Sequence, residues 1–208
     1  MSTYKTPELT EVEVTGSTRG AFLLRATMSA GAILGTGALS PFVTGALAQG
    51  GKGDVDILNY ALTLEYLEAG FYARALDRVN MSREVRTLAE EIGSNEDEHV
   101  DALKAAIESA GGTPIKKPGL SFGGAFANEK TFLRFANIFE DTGVSAYNGA
   151  APMIRSKEIL AAAGSIVQIE GRHAALIRLQ RNKPPAPLAF DKASSMEEVV
   201  KAVKPFLS

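Results

Sequence analysis

Cysteine and tryptophan are absent from this 208-residue chain, and histidine occurs only twice. Without cysteine there is no disulfide, no thiolate metal site and no cysteine nucleophile. Charge of one sign is also lacking, since 22 basic residues stand against 24 acidic ones for a net charge of −2. No basic stripe points to nucleic acid, and no acidic block points to a solvating tail. Strict apolar/polar alternation is missing too, which argues against strands. Long uninterrupted apolar runs are few. The weakly apolar stretch from Ala26 to Leu47 is broken by Gly31, Gly35, Gly37 and Pro41, which lowers its value as a spanning helix.

The first 48 residues differ from the rest. A polar opening leads to Thr18-Arg19-Gly20-Ala21-Phe22-Leu23-Leu24-Arg25, then to the Ala/Gly-rich stretch and to Ala46-Leu47-Ala48, a small-x-small cleavage pattern. Residues 1–48 are therefore expected to be an export signal, giving an exported, periplasmic or extracytoplasmic protein. The Thr-Arg-x-x-Phe-Leu pattern resembles a twin-arginine signal, with Gly20 in place of the second arginine. The competing readings are a flexible tail or an uncleaved membrane anchor. Otherwise no membrane contact is expected.

Residues 54–208 are expected to be one all-α domain. From Asp54 to about Val79, Ile57, Leu58, Ala61, Leu62, Leu64 and Leu67 draw an apolar face at helical spacing. Ser82 is a fitting N-cap for a second helix carrying Val85, Leu88, Ile92, Leu103 and Ile107, stopped by Gly111-Gly112 with Pro114 beyond. Residues 111–127 have no period, and a loop that long suits a crossover between two helical hairpins. Asn128 or Thr131 opens a third helix with Phe132, Phe135, Ile138 and Phe139, which Pro152 ends or kinks. Ser156 opens a fourth, with Ile159, Leu160, Ile166, Val167, Ile169, Leu176 and Leu179, up to Lys183-Pro184-Pro185. Ser194-Ser195-Met196-Glu197 reads as a capping box for a short C-terminal helix to about Val203, with the tail packed across the bundle.

Both histidines sit in E-x-x-H motifs, Glu96-Asp97-Glu98-His99 and Glu170-Gly171-Arg172-His173. On a helix, residues i and i+3 share a face, so each motif places a carboxylate beside an imidazole. Glu65 lies 31 residues before Glu96, and Glu140 lies 30 before Glu170. Tyr72 and Tyr147 each follow their glutamate by seven residues, on the same face. The offset between halves is 75 for the Glu65/Glu140 and Tyr72/Tyr147 pairs, and 74 for Glu96/Glu170 and His99/His173. One Glu on helices 1 and 3, and Glu plus His on helices 2 and 4, can hold two divalent cations with carboxylates left to bridge. Tyr72 and Tyr147 are candidates for donors behind the ligands or for redox-active groups, and equally for tyrosines that fill the bundle. Glu68 is the rival to Glu65, which is preferred because Glu140 matches it. Asp141 points about 100° away from Glu140. Glu90, Glu91 and Glu98 read as solvated charges. Gly171 weakens the helix inside the second motif and suggests a bulge or a close approach.

This pattern resembles the ferritin-like di-iron carboxylate superfamily. The segments Asn59-Tyr60-Ala61-Leu62-Thr63-Leu64-Glu65-Tyr66-Leu67-Glu68 and Glu140-Asp141-Thr142-Gly143-Val144-Ser145-Ala146-Tyr147 resemble the bacterial ferritin-like domain related to plant desiccation-related proteins. Glu65 with Tyr72 also resembles the first helix of rubrerythrin-type proteins. The resemblance implies a ferritin-like four-helix bundle with a long crossover between helices 2 and 3. It implies Glu65, Glu96, His99, Glu140, Glu170 and His173 as ligands to two iron ions, with manganese fitting the same donors. The implied function is oxidation of Fe2+ by O2 or peroxide, or peroxide disposal, in stress defence. The alternative is a non-enzymatic stress or desiccation protein with a structural or vestigial metal site. Metal ions and a small oxidant are the expected partners. A homodimer is compatible with the exposed faces.

Overall fold

The structure, a computed structural model, describes residues 52–207, and the expected export segment lies outside them. Five α-helices follow one another: α1 Lys52–Arg78, α2 Arg83–Ser109, α3 Glu129–Ala150, α4 Lys157–Gln180 and α5 Met196–Val203. Among the described residues there is no strand, only a lone antiparallel bridge between Leu120 and Leu207. No described helix is long and apolar enough to cross a membrane.

The caps explain where the helices begin. Ser82 accepts from Val85 N–H, Asn128 from Thr131 N–H, and Ser156 from Ile159 N–H, each satisfying a donor left free in the first turn. Asn128, rather than Thr131, is thus the start of α3. The α1 N-terminus is tied to the far hairpin by Asp54, fully buried, whose carboxylate accepts from Arg155 N–H and Ser156 N–H at 2.9 Å each. Gly111 ends α2 at φ +75°, and Gly112 N–H returns to Ile107 C=O at 2.9 Å. Pro152 lies in the 3-10 turn Ala151–Met153 that closes α3, so it ends the helix and does not kink it.

α1 packs on α2 and α3 on α4 as two antiparallel hairpins. The crossover climbs the outer side of α1: Ile115 N–H donates to Asn59 Oδ1, and farther along Arg74 donates to Leu120 C=O. Gly70 makes room for this strap, because a Cβ there would meet Leu120 Cδ1 at 2.3 Å. α1 is thereby buried nearly all round between Tyr60 and Tyr72. Having regained the other end of the bundle, the chain starts α3 beside α2, and Glu129 accepts from Ser82 N–H at 2.5 Å. The tail crosses α3, held by Ser194 N–H to Ser145 C=O at 2.9 Å, and Ser121 N–H donates to Phe206 C=O.

Two expectations need correction. The C-terminal capping box is Ser195 with Glu198, one residue beyond the Ser194/Glu197 pair read from sequence. Ile138, Leu160, Leu176 and Leu179, counted among the apolar positions, are 40–51% exposed. They lie beside the buried stripe of helices whose apolar positions outnumber those the core can cover.

The core is asymmetric along the bundle axis. On one side of the glutamates the rings of Phe71, Phe122, Phe126, Phe132 and Phe139 pack together, Phe71 lying 4.9–5.4 Å from each of the other four. On the other side Ala61, Ala106, Ala146 and Ala162 sit among Leu58, Leu64, Ile159 and Ile166.

Candidate metal centre

The six charged side chains singled out in the sequence meet inside the bundle. Glu65 comes from α1, Glu96 and His99 from α2, Glu140 from α3, and Glu170 and His173 from α4. All four carboxylates are fully buried, and His99 and His173 are 8% and 3% exposed. They form two overlapping groups, Glu65–Glu96–His99–Glu170 and Glu96–Glu140–Glu170–His173. Within each group, one donor atom per residue lies within 4.8 Å of all the others. Glu96 and Glu170 belong to both, so each joins the two seats, while each seat has its own histidine and its own terminal glutamate.

Both imidazoles turn Nδ1 inward. His99 Nδ1 lies 3.0 Å from Glu96 Oε2, 3.1 Å from Glu170 Oε1 and 3.2 Å from Glu65 Oε2. His173 Nδ1 lies 2.9 Å from Glu96 Oε1 and 3.4 Å from Glu140 Oε2. A single N–H serves one or two acceptors well, so these atoms surround a volume instead of pairing off. Glu96 Oε1, Glu140 Oε2, both Glu170 oxygens and His173 Nδ1 are buried without hydrogen-bond geometry to any group described. Buried polar atoms left in that state are costly in a protein interior, and cations seated among them would satisfy all five. The donor set, carboxylate oxygens with one imidazole nitrogen per seat, is one that could hold a metal ion.

The electrostatics agree. Burial, then repulsion from Glu170, pushes the Glu96 carboxyl up to about 7. Burial, then repulsion from Glu65, pushes Glu170 up to about 8. Burial also raises Glu140. Glu65 alone is held below the usual range: burial works against ionisation, but hydrogen bonds to His99 and others outweigh it. Burial would discharge His173, yet the carboxylates of Glu140 and Glu96 beside it carry it up to about 10. His99 is raised in the same way by Glu170, Glu65 and Glu96. Positive charge is in demand here, and a metal cation is of the sign to meet it.

The tyrosines cross the pseudo-symmetry. Tyr147 on α3 donates to Glu65 Oε1 of α1 at 2.5 Å, and Tyr72 on α1 donates to Glu140 Oε1 of α3. Each hydroxyl therefore orients the terminal glutamate of the opposite hairpin, and both tyrosines also fill the core.

Two residues of the site stood outside the ligand set read from sequence. Glu68, ranked behind Glu65, is also buried at 2% exposure with Oε2 unpartnered, so both glutamates of the pair enter the core. Burial, then repulsion from Glu170, Glu140, Glu96 and Glu65, raises its pKa well above the usual range. Its place is made by Gly143, where a Cβ would meet Glu68 Oε1 at 3.1 Å and Glu170 Oε2 at 3.2 Å. Gly143 lies 75 residues after Glu68, the same offset as Glu140 after Glu65, so the repeat itself carries the signal. Asn95 places its side-chain amide 3.0 Å from His173 Nε2, steadying the ring from behind, and no sequence pattern marks it. Gly171, by contrast, lies in an unbroken α-helix, and a Cβ there would meet nothing within 4 Å. The expected bulge or close approach is not there. Asp141 bonds Asn137 and Arg178 away from the cluster, and Glu90, Glu91 and Glu98 are exposed.

Fold and site together define a class of protein: a helical bundle with a crossover whose core holds a carboxylate–histidine cluster able to take a metal. A family model for the ferritin-like domain matches residues 53–183, and the chain belongs to that family. No curated protein matches the chain.

Proposed function

We propose that the cluster holds two iron ions, with manganese as the alternative, and that the protein oxidises Fe2+ with O2 or peroxide, or consumes peroxide, in stress defence. The observation carrying this reading is the pair of ligand groups that share Glu96 and Glu170. Two ions in such seats supply a two-electron change that neither supplies alone. The chain's own part is to fix them. Glu65 and His99 close one seat, Glu140 and His173 the other, and Glu96 and Glu170 span both. Tyr72 and Tyr147 orient the terminal glutamates, and the buried surroundings keep bulk water from the site.

The test is metal analysis of the purified protein, followed by anaerobic loading with Fe2+ or Mn2+ and exposure to O2 or peroxide. About two ions per chain and oxidation of Fe2+ are expected. Absence of bound metal after loading overturns the reading. Two bound ions with no turnover by either oxidant would instead favour a structural metal site in a stress protein.

A further inference from the structure

Below the cluster, on the side away from the phenylalanines, the four long helices enclose an apolar cavity. It offers about 30 Å³ of room to the centre of a water-sized molecule. Seven of its sixteen lining residues are alanine, contributed by all four helices. Ala61 precedes Glu65 on α1, Ala102 and Ala106 follow Glu96 on α2, Ala146 follows Glu140 on α3, and Ala162 precedes Glu170 on α4. Small side chains at the level where the opposite half of the bundle uses phenylalanine leave a space that packing would otherwise close.

We propose that this alanine-lined cavity is a binding chamber for dioxygen, set one side chain away from the metal centre and selecting O2 over peroxide. The proposal rests on the metal-site reading above and names the oxidant for it. Three observations carry it. First, Tyr147 is part of the cavity wall and donates its hydroxyl to Glu65 at 2.5 Å, so wall and cluster share a residue. Second, the size fits a diatomic molecule. About 10–15 Å³ of such room admits one water, and the cavity offers about twice that, enough for a diatomic molecule. Third, the lining is apolar apart from two tyrosines. The Tyr147 hydroxyl is committed to Glu65, and the Tyr60 hydroxyl is buried without a partner. Peroxide brings two donors and two acceptors, which one hydroxyl cannot satisfy, whereas dioxygen carries no dipole and loses little on leaving water. Ala102 and Ala163, both partly exposed, mark the side toward solvent.

Xenon, an apolar probe of similar size, tests the chamber without reference to metal, in xenon-pressurised crystals of the full chain with and without iron. One xenon site among these alanines is expected in both forms, and its absence overturns the proposal. Ala162→Leu fills the space, and Ala102→Leu narrows its partly exposed side should the buried change impair folding. In either variant, the xenon site is expected to vanish. With Fe2+ as substrate, kcat/KM for O2 is expected to fall roughly tenfold while kcat at saturating O2 holds, the mark of lost access and not of lost chemistry. The peroxide-driven rate should be unchanged. An O2 dependence unaltered in a variant shown to have lost its xenon site, or an equal slowing with both oxidants, overturns the proposal. A protein that binds xenon here but takes up no metal removes the metal reading and leaves the cavity's preference for apolar diatomics standing.

Discussion

Glu96 and Glu170 differ from the other ligating candidates in one respect: each belongs to both donor groups. Removing either opens both seats at once, whereas removing His99 or His173 damages one. Glu170→Ala is therefore expected to reduce bound metal from about two ions per chain to well below one, and His99→Ala to leave about one, the number set by the two-seat ligand pattern. Metal content by mass spectrometry, read beside circular dichroism to show folding, checks this. Equal retention by both variants would mean the shared carboxylates do not bridge. The glycines give a second contrast. At Gly171 a methyl meets open space inside a helix, so Gly171→Ala should stabilise the fold by about 0.5–1 kcal/mol in chemical denaturation. At Gly143 the same change presses on Glu68 and Glu170 oxygens, so Gly143→Ala should lower metal occupancy despite its better helix propensity. Both glycines sit inside helices, and what faces each one sets the opposite signs. The convergence of these six side chains was legible because helical spacing fixes a face and the repeat counts the faces. Asn95 was not, since an amide beside a histidine depends on the rotation of two packed helices, which no spacing reports.

At the scale of elements, starts and stops were legible where a side chain or glycine closes a local hydrogen-bond circuit. Ser82, Asn128 and Ser156 each accept from a first-turn N–H, and Gly111 supplies a left-handed turn. The one-residue slip at α5 arose because Ser194-x-x-Glu197 and Ser195-x-x-Glu198 both satisfy the capping pattern. Tertiary structure chooses between them: Ser194 is bonded to Ser145 and cannot also open the helix. That tail contact yields a prediction of its own. A Cβ at Gly149 would meet the Ser194 carbonyl oxygen at 1.8 Å, which no rotamer relieves. Gly149→Ala must lift the tail from α3, at a cost of about 1–3 kcal/mol for the overpacking. Limited proteolysis should then cut between Lys183 and Ser194 well before the bundle unfolds. A tail as resistant as in the parent protein would show that the strap adjusts and is not clamped.

For the molecule as a whole, the four-helix architecture trades stability for a charged centre, and pH exposes the trade. Folding takes Glu96, Glu170 and His173 to higher pKa values than they have in an unfolded chain: about 7, about 8 and about 10. Over the range in which the unfolded chain has given up these protons and the folded one retains them, the native state binds more protons. The sign of the linkage then makes stability fall as pH rises. The carboxylates contribute from the ordinary glutamate range up through about 8, and His173 from near 6.5, its ordinary value, up to about 10. Glu65, shifted the other way, is ionised in both states above the ordinary glutamate range, so it adds no slope there. Metal-free protein is accordingly expected to melt at progressively lower temperature as pH is raised from about 6 to about 9, the window set by these shifts. Two bound divalent cations hold the same glutamates ionised and displace the protons. The loaded protein should therefore melt at a temperature nearly flat over that window, and metal uptake should release protons and tighten with pH. Calorimetry in buffers of different ionisation enthalpy counts those protons. A metal-free melting temperature that stays level or climbs across the window would mean that the buried carboxylates are ionised and compensated without metal.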